Sequence, residues 1–331
     1  MVARVIFFRL ILIITASLVL YFAVFNFALY RPITRGLIFE MLDMKVEHAE
    51  QTSAPQLILF AGSNARLSHS CVVLADELEL PCTNMGVAGG VGLDTQFAAL
   101  RRVTVAGDYI YMPLEYSQYV VSMRDMMDSA ETGEWFRRDS AGLLDTRGAE
   151  GLLRAFFHFD LSYALQSIFE MVFHSAGHFR RSGLHKLNEH GDETGHTLNT
   201  SGPYREALRT QPWSPPILDH LKTAPNPGAP QLIAEFIEDM RSRNILVIGG
   251  LPTTFDDMPI PEELLEDLDA LFTSNGGAFI SLDNLSQYPR ARFFDTHYHL
   301  SEEWAIEHSK SVAKALSLLI DEEGNVAGHS D

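Results

Sequence analysis

The sequence predicts an α/β protein with a doubly wound, parallel, five-stranded sheet and one transmembrane helix at its N-terminus. Short apolar runs alternate with stretches of helical periodicity between about 56 and 118, and again between about 229 and 320. Such alternation is typical of βαβ units whose sheet is covered by helices on both faces. A long uncharged run near the N-terminus predicts the membrane span.

Residues 10–30 have the length and composition of a transmembrane helix. These 21 residues carry no charge, and about 20 apolar residues cross a bilayer as a helix. A cleaved signal peptide is the alternative, but the run is long for one, and no clear small-x-small cleavage site precedes Arg31-Pro32. We predict an uncleaved anchor within residues 1–36. Two arginines precede the run and two follow it, so the charges leave its orientation open.

An α/β domain at 56–325 follows this anchor and a juxtamembrane linker at 37–55. The pattern predicts strands at 56–61, 82–86, 108–114, 245–252 and 278–284. It predicts helices at about 65–79, 94–106, 229–244, 261–275 and 301–320. Ligands bind beyond the carboxyl ends of the strands in parallel sheets. Ser63, the glycine-rich segment 84–92 and the loop after 284 all lie at such ends.

Residues 120–226 interrupt the alternation, and we interpret them as an insertion in the α/β domain. The segment 152–179 is amphipathic, with charged residues too central for a second membrane span. It could cover the sheet, line a groove or lie on the membrane surface, and of these we expect core packing. A polar stretch follows, where we expect solvated loop histidines rather than metal ligands at His185, His190 and His196.

The charge of the chain argues against a nucleic-acid partner. The formal net charge is −18, and residues 1–36 carry +4 because they hold four arginines and no acid. The remainder therefore carries −22 and would repel a phosphate backbone.

The two cysteines allow two interpretations. In an oxidising compartment Cys71 and Cys82 could form a disulfide between a helix and the next strand. As free thiols they would be small buried apolar residues. The sequence leaves both open.

Ser63 is a candidate nucleophile because it directly follows the first predicted strand. A hydroxyl becomes a good nucleophile when a base takes its proton and a carboxylate orients that base. The run RFFDTHYHLSEEWA supplies Asp295, His297 and His299 in a loop before the last helix, for which Ser301 is the expected N-cap.

Two other kinds of site are less compatible with these residues. A carboxylate and two histidines within a loop lack the helical spacing of a typical zinc site, so we expect no metal ion. The run GVAGGVG does not match the spacing of a dinucleotide fingerprint, so we expect no cofactor.

Three motifs together resemble the SGNH (GDSL-like) hydrolases and acyltransferases. AGSN resembles the first block of that family, which makes Ser63 the nucleophile. NMGVAGG, residues 84–90, resembles the second block, with Asn84 and with Gly86 as an oxyanion-hole donor. DTHYHL resembles the last block, which supplies the Asp and the His. The resemblance spans about 56–118 and 244–320 and implies a flavodoxin-like SGNH fold.

The last block departs from the usual family pattern. The family places its histidine three residues after the aspartate, and Tyr298 occupies that position here. His297 at plus two resembles the membrane-linked members of exopolysaccharide O-acetylation, whereas the YHL run before a helix makes His299 the base. We favour His299 slightly and keep both.

The third block also departs, because no asparagine follows the strand at 108–114. Glu115 lies there instead, and an ionised carboxylate would oppose oxyanion stabilisation. Asn64 or Gln118 would have to supply the missing donor, or the oxyanion hole is weak.

The resemblance implies a single-pass inner-membrane protein with a short cytoplasmic tail and its main domain in the periplasm or cell exterior. It would transfer an acyl group, most simply acetyl, between an acylated donor and a polysaccharide, or hydrolyse the ester, beside a membrane-bound O-acyltransferase. The alternative is a catalytically silent SGNH-like subunit that binds or assembles within an envelope complex.

Overall fold

A five-stranded parallel sheet lies at the centre of the computed structural model, which describes residues 2–24, 33–157, 165, 168–173, 186–202, 206–208 and 218–327. The strands are β1 (Leu57–Leu59), β2 (Cys82–Asn84), β3 (Tyr109–Met112), β4 (Leu246–Gly249), β5 (Thr254–Phe255), β6 (Ala278–Phe279) and β7 (Gln287–Tyr288). The order in the sheet is β2-β1-β3-β4-β6. This confirms the predicted α/β class and the parallel five-stranded sheet.

Every neighbouring pair in this sheet is parallel. Leu57 pairs with Cys82 on one side and with Tyr109 on the other, and Tyr109 pairs in turn with Leu246. All residues of β1, β2 and β4 are buried, which is why these strands are apolar runs rather than alternating ones. Parallel pairing brings the carboxyl ends of all five strands to one edge.

The helices divide into two groups around the sheet. The described helices are α1 (Val2–Val24), α2 (Ile33–Gln51), α3 (Ser63–Ser68), α4 (Cys71–Leu78), α5 (Leu93–Val103), α6 (Met123–Met127), α7 (Ala130–Arg138), α8 (Ser140–Phe157), α9 (Ala229–Ser242), α10 (Glu262–Thr273) and α11 (Glu302–Ala327). α3 and α4 pack against α11, whereas α9 packs against α5 and α10. Right-handed crossovers place two such groups on opposite faces of a parallel sheet.

The helix predicted at 65–79 is two helices in the structure. His69 has extended backbone angles, with φ −132° and ψ 156°, and so ends α3. The Ser70 hydroxyl then accepts a hydrogen bond from Val73 N–H and caps α4. A disulfide joins Cys71 at the start of α4 to Cys82 in β2, with Cα atoms 5.2 Å apart.

The polar stretch at 186–202 lies along β2, an edge strand of the sheet. Asn84 N–H donates to His190 O at 2.8 Å, so part of the strand edge is covered. The expectation of solvated histidines is wrong for His196, which is buried and bonds Leu67 O through Nε2 at 2.7 Å. His190 is half-buried, and His185 lies outside the described residues.

The N-terminal helix is long and apolar enough to cross a membrane. The span Ala3–Val24 has a mean hydropathy of 2.5 and none of it is buried in the protein. After residues that the structure does not describe, α2 occupies most of the predicted linker at 37–55.

The chain forms two compact units, and the predicted insertion contributes to both. One contains Met1–Phe39 and Met127–Arg181, and the other contains Glu40–Met126 and Ser182–Asp331, including the sheet. In the first unit, α8 is interrupted at Gly148, whose φ of 66° is favourable for glycine. The second unit also holds a two-stranded parallel sheet of β5 and β7 that the sequence pattern did not predict.

Candidate active site

Ser63 is the first residue of α3, directly beyond the carboxyl end of β1. It is half-buried, and its hydroxyl donates a hydrogen bond to Glu115 Oε1 at 3.0 Å. The Asn64 N–H donates to the same oxygen at 3.0 Å. Glu115 comes from the segment that follows β3, so two neighbouring strands bring the hydroxyl and the carboxylate together.

Two glycines make room for the Glu115 carboxylate. A Cβ at Gly62 or at Gly89 would overlap its oxygens, so these positions permit the backbone to approach closely. Glu115 itself is only 6% exposed. The glycine-rich segment 84–92 therefore encloses an acidic side chain beside Ser63.

His299 and Asp295 form a hydrogen-bonded pair in the loop before α11. His299 Nδ1 lies 2.7 Å from Asp295 Oδ1. An ionised carboxylate only accepts hydrogen bonds, so Nδ1 carries the hydrogen and Nε2 is left as the basic nitrogen. An antiparallel bridge between Phe293 and Leu300, both fully buried, closes this loop.

His297 is not part of that pair. Burial, and then the charge of His299, lowers the pKa of His297 to about 4. Its ring packs against Tyr298, with centroids 4.0 Å apart. A base with such a low pKa takes a proton poorly at neutral pH.

Hydrogen bonds fix the Asp295–His299 loop to the Ser63 region. The Ser68 hydroxyl, at the end of α3, donates to Tyr298 O at 2.6 Å and accepts from Leu300 N–H at 2.7 Å. The Tyr298 hydroxyl accepts from Tyr116 N–H at 3.2 Å, next to Glu115 in the chain. The loop is thus attached both to the helix that begins with Ser63 and to the segment after β3.

Ser63 does not meet this pair directly. Among the described residues, no histidine forms a hydrogen bond with the Ser63 hydroxyl, whose partner is Glu115. Of the two contacts expected in a triad, the structure therefore contains the bond between the histidine and the aspartate, but not the bond between the serine and the histidine.

The Asn64 side chain is occupied by structural hydrogen bonds. Its Nδ2 donates to Pro113 O at 3.0 Å, and its Oδ1 accepts from the Thr253 hydroxyl at 2.8 Å. Since Asn64 is fully buried, this amide joins the segments after β3 and β4 instead of facing a substrate.

Asn84 and Gly86 bond to each other at the end of β2. Gly86 N–H donates to Asn84 Oδ1 at 3.0 Å, and Asn84 Nδ2 donates to Ala65 O at 2.8 Å and to Asp192 Oδ1 at 2.9 Å. A Cβ at Gly86 would overlap Ala65 on α3. Both residues thus join β2 to α3, the helix that begins with Ser63.

The two ends of the Gln118 side-chain amide differ in their hydrogen bonding. Its Oε1 accepts from Glu115 N–H at 2.9 Å. Its Nε2 is buried and has no hydrogen-bond partner among the residues that the structure describes. Of the two amides that the sequence offered as oxyanion donors, Gln118 is the one with a free N–H.

Lys45 in α2 is a buried residue that sequence reasoning missed. Its ammonium group donates to Gly86 O. Burial, assisted by the positive charge of Arg66, lowers its pKa to about 7. A lone lysine in a juxtamembrane helix gives no sequence signal, because burial depends on what packs over it.

A chain of hydrogen bonds through the side chains of Tyr288, His308 and His69 ends at the backbone of Asn64, the residue after Ser63. The Tyr288 hydroxyl lies 2.9 Å from His308 Nδ1, and His308 Nε2 lies 3.2 Å from His69 Nε2. His69 Nδ1 lies 3.4 Å from Asn64 O. A carbonyl oxygen can only accept, so the hydrogens point consistently from Tyr288 towards Asn64.

Ser301 directly precedes α11 but does not cap this helix through its side chain. Its buried hydroxyl has no hydrogen-bond partner in the described part of the chain. Within the described ranges, no three His, Cys, Asp or Glu side chains are grouped to hold a metal ion.

Comparison with models of known protein families gave no match. Comparison with curated proteins gave no match either.

Proposed function

We propose that this protein is a membrane-anchored serine acyltransferase or esterase of SGNH type. The observation that carries the proposal is the attachment of the His299–Asp295 pair to α3, the helix that begins with Ser63. A serine at a strand end and a carboxylate-oriented imidazole are the two parts that nucleophilic acyl transfer needs. The sheet order, equivalent to 2-1-3-4-5, is that of flavodoxin-like folds and also supports it.

The reaction would proceed in two steps, acylation of Ser63 and transfer of the acyl group to an acceptor. His299 Nε2 takes the Ser63 proton while Oγ bonds to the acyl carbon, and the carbonyl π electrons move to oxygen. When the carbonyl re-forms, the bond to the leaving oxygen breaks, and that oxygen takes the proton from His299. A sugar hydroxyl or water then attacks the acyl-serine by the same steps in reverse order.

In the resting structure the Ser63 hydroxyl is held by Glu115. The proposed reaction requires this hydroxyl to leave Glu115 and turn to an imidazole when substrate binds, and catalytic hydrogen bonds often form only in the substrate complex. The unpartnered Gln118 Nε2 supports this residue as the side-chain donor to the oxyanion, in place of the asparagine of the family.

We propose that α1 is a single-pass inner-membrane anchor and that the sheet-containing unit lies in the periplasm or cell exterior. The length and apolar composition of α1 support the anchor. The disulfide supports the location, because such bonds persist in oxidising compartments. A cell-envelope or secreted polysaccharide is the proposed acceptor, and a membrane-bound O-acyltransferase the proposed partner.

The test is ester turnover by the full-length protein in detergent. We expect the wild type to hydrolyse p-nitrophenyl acetate and Ser63→Ala to lose this activity, with an acetyl adduct on the Ser63 peptide by mass spectrometry. Ser311→Ala, which changes an exposed serine of α11, is the matched control. Equal turnover by wild type and Ser63→Ala would exclude Ser63 as the nucleophile.

The second candidate function is a catalytically silent binding or assembly subunit. The bond between Ser63 and Glu115 favours it, because in that state Ser63 has no hydrogen-bonded imidazole to take its proton. Absence of both turnover and acyl adduct in the wild type would support this candidate.

A further inference from the structure

An apolar helical face is exposed in the unit that contains α1. Residues 165 and 168–173 are helical. We call the outward side chains of this helix the 165–173 face: Leu165, Ile168, Phe169, Val172 and Phe173, which are 59%, 45%, 60%, 60% and 37% exposed. Their positions i, i+3, i+4, i+7 and i+8 in the sequence are those that share one side of an α-helix. Core packing, expected for the segment 152–179, is therefore wrong for these residues.

In this segment the apolar side chains are exposed and the charged one is buried, the opposite of a surface helix in water. Glu170, on the other side, is only 5% exposed and has an interaction partner. A surface helix of a soluble protein turns its apolar stripe inward and its charges outward. Contiguous exposed apolar side chains indicate contact with something else.

In the same compact unit, α8 is attached to the N-terminal helix. The Tyr21 hydroxyl donates to Phe156 O at 2.6 Å, and the Tyr21 ring lies 5.6 Å from that of Phe156 and 5.9 Å from that of Phe157. Leu153 and Phe157 in α8 are also exposed, by 57% and 53%.

We propose that the 165–173 face lies in the bilayer interface, with lipid acyl chains as its occupant. The face belongs to the same compact unit as α1, and in that unit α8 bonds to Tyr21 of the apolar span. A helix with an apolar stripe beside a membrane anchor can bury that stripe in the boundary between headgroups and acyl chains. The proposal rests on the membrane anchor proposed above and not on the ester chemistry.

The test is the depth of nitroxide spin labels on the full-length protein in phosphatidylethanolamine–phosphatidylglycerol nanodiscs. The native cysteines are joined, so Phe169→Cys and Val172→Cys each give one labelling site. Collision rates are measured with oxygen, which concentrates in hydrocarbon, and with a water-soluble nickel chelate. Leu18→Cys in α1 is the lipid reference, and Lys310→Cys on the exposed side of α11 is the water reference. Met171→Cys is the matched control on the same helix.

We expect the oxygen-to-nickel ratio at 169 and 172 to approach that at 18 and to exceed that at 310 severalfold, with slower collisions of both reagents at 171. Water-like ratios at 169 and 172, with a lipid-like ratio at 18, would overturn the inference while the anchor stands. Slow collisions with both reagents at 169 and 172 would overturn it in favour of a protein contact. A water-like ratio at 18 would remove the anchor itself, an outcome that leaves the Ser63 turnover test untouched.

Discussion

Glu115 is the single residue whose charge most affects the proposed chemistry. Its carboxylate accepts hydrogen bonds from Ser63 and Asn64 where the resembling family has a neutral amide donor. Glu115→Gln should raise kcat/KM for p-nitrophenyl acetate by about tenfold, or about 1.4 kcal/mol. The reason is that it removes a negative charge beside the oxyanion and adds an N–H donor.

The control for this substitution is Glu266→Gln on the exposed side of α10, which we expect to leave kcat/KM unchanged. A fall of Glu115→Gln towards the level of Ser63→Ala would contradict the prediction. It would instead identify Glu115 as the group that takes the Ser63 proton.

The two histidines of the loop should differ in their effects. His299→Gln removes the imidazole bonded to Asp295 and should lower kcat by about 10²–10³-fold, the contribution of a positioned general base. His297→Gln should change kcat little, because the low pKa of His297 makes it a weak base. Steady-state kinetics of both variants decide, and the reverse order of effects would make His297 the base.

The sequence predicted which residues lie near this site more successfully than it predicted their hydrogen-bond partners. Ser63, Asp295 and the two histidines of its loop follow predicted strands, and these positions together with the resemblance to three family blocks brought them into one hypothesis. The Ser63–Glu115 bond depends on the close approach of Gly62 and Gly89 to the carboxylate. The Asn64 amide is held by a hydrogen bond from Thr253, which lies at another strand end. Such contacts between segments distant in the chain leave no local pattern.

At the scale of elements, the disulfide fixes α4 to β2. It closes a loop between residues 11 apart in sequence, and a bridge of that size typically stabilises a fold by about 2–4 kcal/mol. Cys71→Ala/Cys82→Ala should lower the free energy of unfolding by about that amount, measured by urea denaturation in detergent.

A reducing agent provides the check on this value. It should lower the stability of the wild type towards that of the double variant and leave the variant unaffected. Equal stability of the wild type with and without reductant, with the thiols shown to be free, would contradict the assigned contribution.

Element positions were more predictable than element ends. The sheet strands and the helices around them were found from apolar runs and helical spacing, because burial imposes those patterns. The break at His69-Ser70 was missed, since the extended angles of His69 are set by its buried contacts to Asn64 and His308. β5 and β7 pair over only two residues each, too few for any periodicity.

At the scale of the whole molecule, the buried His69–His308 pair makes stability depend on pH. Burial lowers the pKa of His69 to about 4 and that of His308 well below its usual value. The unfolded chain takes up protons on these imidazoles as the pH falls below about 6.5, while the folded protein does not. Stability is therefore lost as the pH falls from about 6.5 towards 4, by up to about 1.4 kcal/mol per pH unit for each histidine.

The free energy of unfolding at pH 7 and pH 5 tests this dependence. His308→Gln should lose less stability than the wild type between the two values, because one buried imidazole is gone. Tyr288→Phe removes the hydroxyl bonded to His308 but no titrating group, so it should lower stability equally at both values. The same pH dependence in the wild type and His308→Gln would contradict the assignment.

The fold class was accessible from the sequence, whereas the division into two units was not. Parallel strands need helical crossovers, so their alternation appears in the sequence. The unit that contains α1 combines the N-terminus with residues 127–181 from the middle of the chain. No composition shift marks such a union, because it arises from contacts such as those between Tyr21 and Phe156.

That union has a practical consequence for the purification of the unit that contains the sheet. The apolar surface of the protein comes from two separate stretches of the gene, so deletion of the N-terminal helix alone leaves the 165–173 face behind. We expect a protein shortened in this way to aggregate or to stay bound to membranes. A freely soluble form requires a second, internal change at that face.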